Sequence, residues 1–347
     1  MNKQTMYGVQ MTGHGDFDKL QYSTDIEVPR LARGEVLIKV SAAGVNNTDI
    51  NTRIGWYSKS GADGDDASWS GEALRFPRIQ GADVCGVIVA TGEGVDESRV
   101  GQRVIIEPCL NEANGEQLSS PWYFGSECDG GFSEFTKVAS RYAHHVSTEL
   151  SDVELASFPC SYSTAENMLT RANVGTADTV LVTGATGGVG SAAIQLAKAR
   201  GAKVIGVTSR SKEALLKSIG TDEVVFRDED LVSRLGLNSV DVVVDLVGGK
   251  NWPTLLDVMK PKGRYAVSGA IAGADVTLDL RTLYLKDLSF FGCTVIEPEV
   301  FLNLVKRIES GQIKPLVAMT FPLQHIEQAQ LAFMEKKHLG KIVLTLD

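Results

Sequence analysis

Residues 182–199 read VTGATGGVGSAAIQLAKA. The run TVLVTG (179–184) is short, apolar and β-branched, which is the composition of a buried strand. A helix is expected to follow from about Gly187 to Arg200. Between them Gly184, Gly187 and Gly190 recur every third residue, and Gly188 adds a fourth glycine. Glycines at a strand-to-helix turn allow a tight bend and let the backbone approach a pyrophosphate, whose charge is favoured at the helix N-terminus. The spacing departs from a strict GxGxxG, so the inference rests on the strand–loop–helix context. Gly184, Thr186, Gly187, Gly188, Val189 and Gly190 are the first candidate cofactor-binding residues.

Downstream the pattern repeats. KVIGVTS, EVVF, DVVVDLVG, GRYAVSGA and LSFFGCTV (288–295) are short strand-like runs separated by helical ones. Such alternation predicts an α/β fold with a parallel, doubly wound sheet of the Rossmann type, covered on both faces. About 20 residues past the glycines, a binder of NAD usually carries Asp or Glu for the ribose 2′-hydroxyl. Here Ser209, Arg210 and Lys212 stand at that place, with no carboxylate among residues 208–212. An arginine there suits the additional 2′-phosphate of NADP. One charge-assisted hydrogen bond is worth roughly 1.5–3 kcal/mol, or about 10- to 100-fold in affinity. NADP(H) is therefore the expected cofactor.

Upstream of the loop the character differs. Residues 33–45 (RGEVLIKVSAAGV) and 98–108 (SRVGQRVIIEP) read as strands, and residues 55–77 as a long Gly, Ser and Asp-rich loop. Its Asp63, Asp65 and Asp66 do not make a calcium loop, because Ser68 occupies the position where that geometry needs glycine. Helices at about 298–310 and 326–337 and a closing strand, GKIVLTLD, complete the chain. No internal repeat is visible.

The glycine loop also fits TGxxxGxG through Thr183, Gly184, Gly188 and Gly190, the pattern of short-chain dehydrogenases. Those enzymes pair a downstream Tyr with Lys four residues on. Here Tyr265 and Tyr284 are followed at that distance by Gly269 and Leu288, so the pattern fails. The whole chain instead resembles the medium-chain dehydrogenase/reductase superfamily, and within it the quinone oxidoreductase (zeta-crystallin-like) branch. The resemblance is carried by GEVLIKVSAAGVNNTDINTRIGWY, QGADVCGVIVATGEGV, DGGFSEFTKV, the glycine loop and the terminal GKIVL. It implies a GroES-like β-rich catalytic domain over 1–155, a Rossmann domain over 156–297, and a segment 298–347 returning to the first. It also implies a homodimer and a small-molecule substrate.

The resemblance assigns roles residue by residue. Asn47 is placed near the nicotinamide and substrate carbonyl, Tyr57 at the pocket mouth, and Thr164 facing the nicotinamide amide, as catalytic candidates. Ser161 is placed at the helix start beneath the cofactor. Ser268, Gly269 and Ala270, with Gly292, Cys293 and Thr294, end two sheet strands on the side where such folds bind ligands. Gly340 and Lys341 resemble a terminal Gly-Lys that closes over the cofactor. The zinc-dependent members hold their metal with a Cys, a His and a later Cys. The matching positions here are Asn46, Ala82 and Cys160, with Asp83 in place of a Glu. A catalytic zinc needs about three protein ligands, and none of His14, His144, His145, His325 and His338 falls in these motifs. Cys109 and Cys128 are too few for a structural zinc lobe. No metal is expected, and Cys160 reads as a small buried side chain. Activated acceptors, quinones or enones, then fit hydride transfer better than simple alcohols do, since no metal polarises the carbonyl.

Composition excludes several alternatives. The chain has 347 residues, a net charge of −9 and no Lys/Arg run longer than two residues, which argues against nucleic-acid and anionic-membrane partners. No stretch of about 18 apolar residues occurs, and no secretory signal core. Five widely spaced cysteines without a CxxC pair fit reduced thiols in the cytoplasm.

Overall fold

The computed structural model describes residues 4–58 and 68–346. The acidic cluster Asp63, Asp65 and Asp66 lies outside them. The chain forms two compact units, residues 1–160 with 315–347, and residues 161–314.

The second unit is built around a six-stranded, wholly parallel sheet. Its central strand is Thr179–Val182, the one that leads into the glycine loop. Lys203–Thr208 and Glu223–Phe226 lie successively on one side of it. Val240–Asp245, Met259–Val267 and Ser289–Gly292 lie on the other. Numbered within the unit, the order is 3-2-1-4-5-6, so the topology reverses at the glycine loop, where ligands of open α/β sheets bind. Leu181, Val182, Val204, Val225, Val242, Val243 and Val244 are buried, as expected of strands covered on both faces. The helix over the loop runs Gly188–Ala199 and buries Ala192, Ala193, Ile194, Leu196 and Ala197.

The first unit centres on a seven-stranded sheet in which Glu35–Val45 is the hub. That strand pairs antiparallel with Asp83–Thr91, with Phe135–Ala139 and with the closing strand Lys341–Thr345. Val36, Ile38, Val40, Ala43, Val84, Ile88, Ile342 and Leu344 belong to one core. A hairpin of Cys109–Ala113 and Glu116–Tyr123 stands apart as a two-stranded sheet.

Three boundaries differ from the sequence expectation. The strand read over 98–108 is confined to Arg103–Ile106, because Glu97–Arg99 forms a 3-10 turn and Gly101 takes a φ of +91°. The run LSFFGCTV is strand only over Ser289–Gly292. The return to the first unit falls at Pro315 rather than 298. The helix Val300–Glu309 buries Val300, Phe301, Leu304, Val305 and Ile308 and stays with the second unit.

Candidate active site

Each unit carries one set of candidate residues. In the second unit Gly184 adopts φ +57°, and the Gly187 amide donates to its carbonyl at 3.0 Å. Gly187 is the N-cap of the helix, in extended backbone, so the first-turn amides have no side-chain cap. Those amides are the donors an anionic group takes up. Gly190 is packed hardest: a Cβ there would lie 2.3 Å from the Gly184 carbonyl oxygen and 2.8 Å from the Ala185 Cα. The cradle thus fits a pyrophosphate; Thr186 lies in the turn before the helix, and Gly188 and Val189 open its first turn.

The loop is held from below by residues that sequence reasoning missed. Buried Asp245 accepts from Thr183 Oγ1 at 2.6 Å, from Tyr265 at 2.7 Å and from the Val247 amide at 3.0 Å. Trp252 Nε1 donates to the Tyr265 hydroxyl at 2.8 Å. Burial, and then Asp245, raise the Tyr265 phenol above its usual range, so it stays a donor. Ser268, Gly269 and Ala270 follow the strand Met259–Val267 on the same carboxyl edge, and the Ser268 amide donates to the Asp245 carbonyl at 3.2 Å. Gly292, Cys293 and Thr294 end the neighbouring strand. Cys293 is buried, which raises its thiol.

Arg210 follows the strand Lys203–Thr208, as expected. Its guanidinium lies 4.4 Å from the Phe226 ring centroid, and its Nε is 3.2 Å from Asp228 Oδ2. Both partners of that ion pair are well exposed, so it is weak and readily exchanged for a phosphate. Ser209 Oγ lies 3.2 Å from Ser211 Oγ. Lys212 is partly buried, which lowers its ammonium pKa. Ser161 is buried and Thr164 half-buried on the helix Pro159–Arg171.

The first unit gathers Asn46, Asp49, Asp83, Tyr123, Cys160 and Lys341. Asp83 is fully buried, and each of its oxygens is used. Oδ1 accepts the Cys160 amide at 2.5 Å. Oδ2 accepts Asn46 Nδ2 at 2.8 Å and the Lys341 ammonium at 2.7 Å. Lys341 also donates to Asn46 Oδ1. Gly44 makes room for this cluster, since a Cβ there would meet Asp83 Oδ2 at 2.6 Å. Lys341, which the resemblance places over the cofactor, is 2% exposed, with its ammonium committed to Asp83 and Asn46.

These residues do not fit a zinc ion. Ala82 has no donor atom, and a divalent cation beside Asp83 would face the ammonium of Lys341. Among the described residues no three His, Cys, Asp or Glu side chains gather to hold a metal. Burial, and then Asp83, push the Cys160 thiol up to about 12, which favours its protonated form.

Asn47 opens the helix Asn47–Arg53. Its Nδ2 donates to Asn51 at 3.3 Å and its Oδ1 accepts from Lys336 at 3.1 Å. The Tyr57 hydroxyl donates to Thr48 Oγ1 at 3.3 Å, and burial raises its phenol. The structure thus brings Asn46, Asp83, Cys160 and Lys341 into one buried network, with Asn47 and Tyr57 on or just after the adjoining helix.

Asp49 gives this cluster a pH signature. Its carboxylate accepts the Asn46 amide at 2.7 Å. Burial pushes its pKa from an ordinary 3.8 up to about 7, against the pull of the Asn46 amide and Lys341. The folded chain therefore keeps a proton that the unfolded chain releases. This stabilising contribution is complete below about pH 4 and is lost as the pH rises through 7. Asp49→Asn should remove that slope: urea unfolding from pH 4 to 8 should show wild-type stability declining relative to the variant.

A family model described as a zinc-binding dehydrogenase matches residues 188–310, and one described as an alcohol dehydrogenase GroES-like domain matches residues 32–148. An acryloyl-coenzyme A reductase of Metallosphaera sedula is 31% identical over 331 residues, spanning 92% of this chain and 95% of the relative. The chain belongs to the medium-chain dehydrogenase/reductase superfamily. A quinone oxidoreductase of Rattus norvegicus from this superfamily is 28% identical over 99% of each chain. A solved structure from Sinorhizobium meliloti 1021, described provisionally as an alcohol dehydrogenase, is 45% identical with a TM-score of 0.91, covering 99% of this chain and 98% of that one. Like its relatives, this chain is a nicotinamide-dependent oxidoreductase with a GroES-like domain and a Rossmann-type sheet. Among the described residues no helix is long and apolar enough to cross a membrane.

Proposed function

We propose that this superfamily member is an NADP(H)-dependent, zinc-independent reductase of quinones or α,β-unsaturated carbonyls. The observation that carries this reading is the Asp83–Asn46–Lys341 network: the metal-ligand positions 46 and 82 are a neutral amide and an alanine, and the adjoining carboxylate of Asp83 is already paired with a resident cation. An acceptor reduced here must be electrophilic on its own account. Bound NADPH supplies the hydride. The protein's task is then to hold the dinucleotide and to meet negative charge developing on the acceptor oxygen with hydrogen-bond donors. The glycine loop, with Ser268–Ala270 and Gly292–Thr294 beside it, is assigned to the dinucleotide. Asn47, Tyr57 and Thr164 are assigned to the nicotinamide and the acceptor. The quinone oxidoreductase and acryloyl-coenzyme A reductase relatives support the acceptor class, as both names denote reduction of an activated π-system.

A homodimer in the cytoplasm is part of the same reading. Ser289–Gly292 is an edge strand with Phe290 exposed, and Leu280, Tyr284 and Leu285 are exposed shortly before it. The five cysteines are free thiols.

Arg210 supplies the cofactor test. Arg210→Ala should weaken NADPH binding about 10- to 100-fold, the worth of one charge-assisted bond, and leave NADH within about twofold. Fluorescence titration of both cofactors, on protein of known metal content, reads this directly. Equal wild-type affinity for NADH and NADPH would sink the NADP(H) assignment. Stoichiometric zinc would sink the metal-free one. Turnover of simple alcohols in preference to quinones and enones would turn the reading towards an alcohol dehydrogenase.

A further inference from the structure

The Tyr123 hydroxyl is an unusual donor. It is almost wholly buried, and it donates to the thiol sulfur of Cys160 at 3.0 Å. A thiol sulfur is a weak acceptor, so this bond is exchanged cheaply for one to a carbonyl or quinone oxygen. The ring is held firmly while its hydroxyl is held loosely. Glu127 ties the Tyr123 backbone to the segment carrying Trp69, Oε2 accepting the Tyr123 amide at 2.8 Å and Oε1 the Ser70 amide at 2.9 Å. The Trp69 amide donates to Ser126 Oγ at 3.2 Å, and the Trp69 ring lies 5.0 Å from that of Tyr123, tilted by 30°. Ala82, Tyr123 and Cys160, with Trp69 packed on them, form a cluster separate from the main core of the unit. This aromatic wall faces the thiol of Cys160, whose amide bonds Asp83, and Asp83 in turn bonds Asn46, the residue preceding Asn47, which is assigned above to the acceptor.

We propose that Tyr123 is the hydrogen-bond donor to the acceptor oxygen, leaving Cys160 for it when the acceptor is bound, and that Trp69 and Tyr123 form the wall against which a planar acceptor lies. The inference rests on the quinone or enone reading. Hydride adds to the β-carbon of an enone, the π-electron pair moves to oxygen, and the resulting enolate is met by the Tyr123 O–H. Water supplies the proton that completes the saturated ketone. Tyr123 keeps its own proton throughout, because burial, and then the neighbouring Cys160, hold its phenol well above the usual range. The role is electrostatic stabilisation by a pre-aimed donor, not general acid catalysis.

Tyr123→Phe removes one oxygen atom and leaves a thiol, which tolerates the loss of a partner. With NADPH and cyclohex-2-enone, kcat should fall about 100- to 1000-fold, the range for loss of one oxyanion donor, with little change in KM. The NADPH dissociation constant and the thermal midpoint should not move. A purely structural role would shift those two and leave kcat nearly intact. The infrared carbonyl stretch of cyclohex-2-enone bound to the wild-type NADP⁺ complex should move to lower wavenumber, and should return towards the free value in Tyr123→Phe. An unshifted stretch in the wild type, or a variant within threefold of wild-type kcat, overturns the assignment while leaving the reductase reading intact. A wild type that binds and reduces neither enones nor quinones overturns both.

Discussion

Gly190→Ala should abolish useful NADPH binding and lower stability as well. The added Cβ would sit 2.3 Å from the Gly184 carbonyl oxygen and 2.9 Å from its carbonyl carbon, with the Ala185 Cα at 2.8 Å. All three neighbours are backbone, so no side chain can swing aside. Relief requires the first turn of Gly188–Ala199 to move away from the turn at Gly184, whose φ of +57° already restricts it. Overpacking of this kind costs about 1–3 kcal/mol, and more where backbone must shift. The same displacement moves the helix amides that are assigned to the pyrophosphate. We expect at least a 100-fold rise in the NADPH dissociation constant, with a thermal midpoint several degrees lower. By contrast, Gly187→Ala places its Cβ 3.4 Å from the Gly184 carbonyl oxygen, at ordinary contact distance, and should cost little stability. Equal behaviour of the two variants in isothermal titration and thermal melts would refute the packing argument.

That contrast shows what the sequence makes visible. The glycine loop and the strands around it are local features. A β-branched run, four glycines and a helical pattern lie within some 20 residues, and each predicts its neighbour. The parallel sheet follows from repetition of the same signal. Errors occur where a local pattern continues past its structural limit. Residues 293–295 remain strand-like in composition after the strand has ended at Gly292. The helix Val300–Glu309 gives no local sign of which unit its apolar face serves. The first unit's cluster is harder to read, because it is made by contacts of long range. Asn46 and Lys341 are 295 residues apart and meet because Glu35–Val45 and Lys341–Thr345 pair antiparallel. Nothing near Lys341 announces that its ammonium is buried. Tyr123 is similarly silent: PWYFG is an aromatic run at the end of a hairpin strand, and only the meeting with Cys160 gives it a chemical role.

Lys341→Met should be among the most destabilising substitutions in the first unit. Methionine fills much of the volume of the lysine stem, so packing changes little, and the variant isolates the charge. Asp83 would remain fully buried with Asn46 and the Cys160 amide as donors but without a cation. Removing one partner of a buried ion pair costs about 3–5 kcal/mol, because the other is left uncompensated in a medium that solvates it poorly. Chemical denaturation should record a loss of that order. Lys341→Met combined with Asp83→Asn should recover much of it, since both charges are then gone and the amide still accepts from Cys160. Two single variants that each destabilise while the pair is mild are the signature of a coupled site. Simple addition of their costs would show that Lys341 and Asp83 act independently. The buried lysine would then be a packing element, and the claim that this cluster supplies its own cation where a metal would otherwise sit would lose its basis.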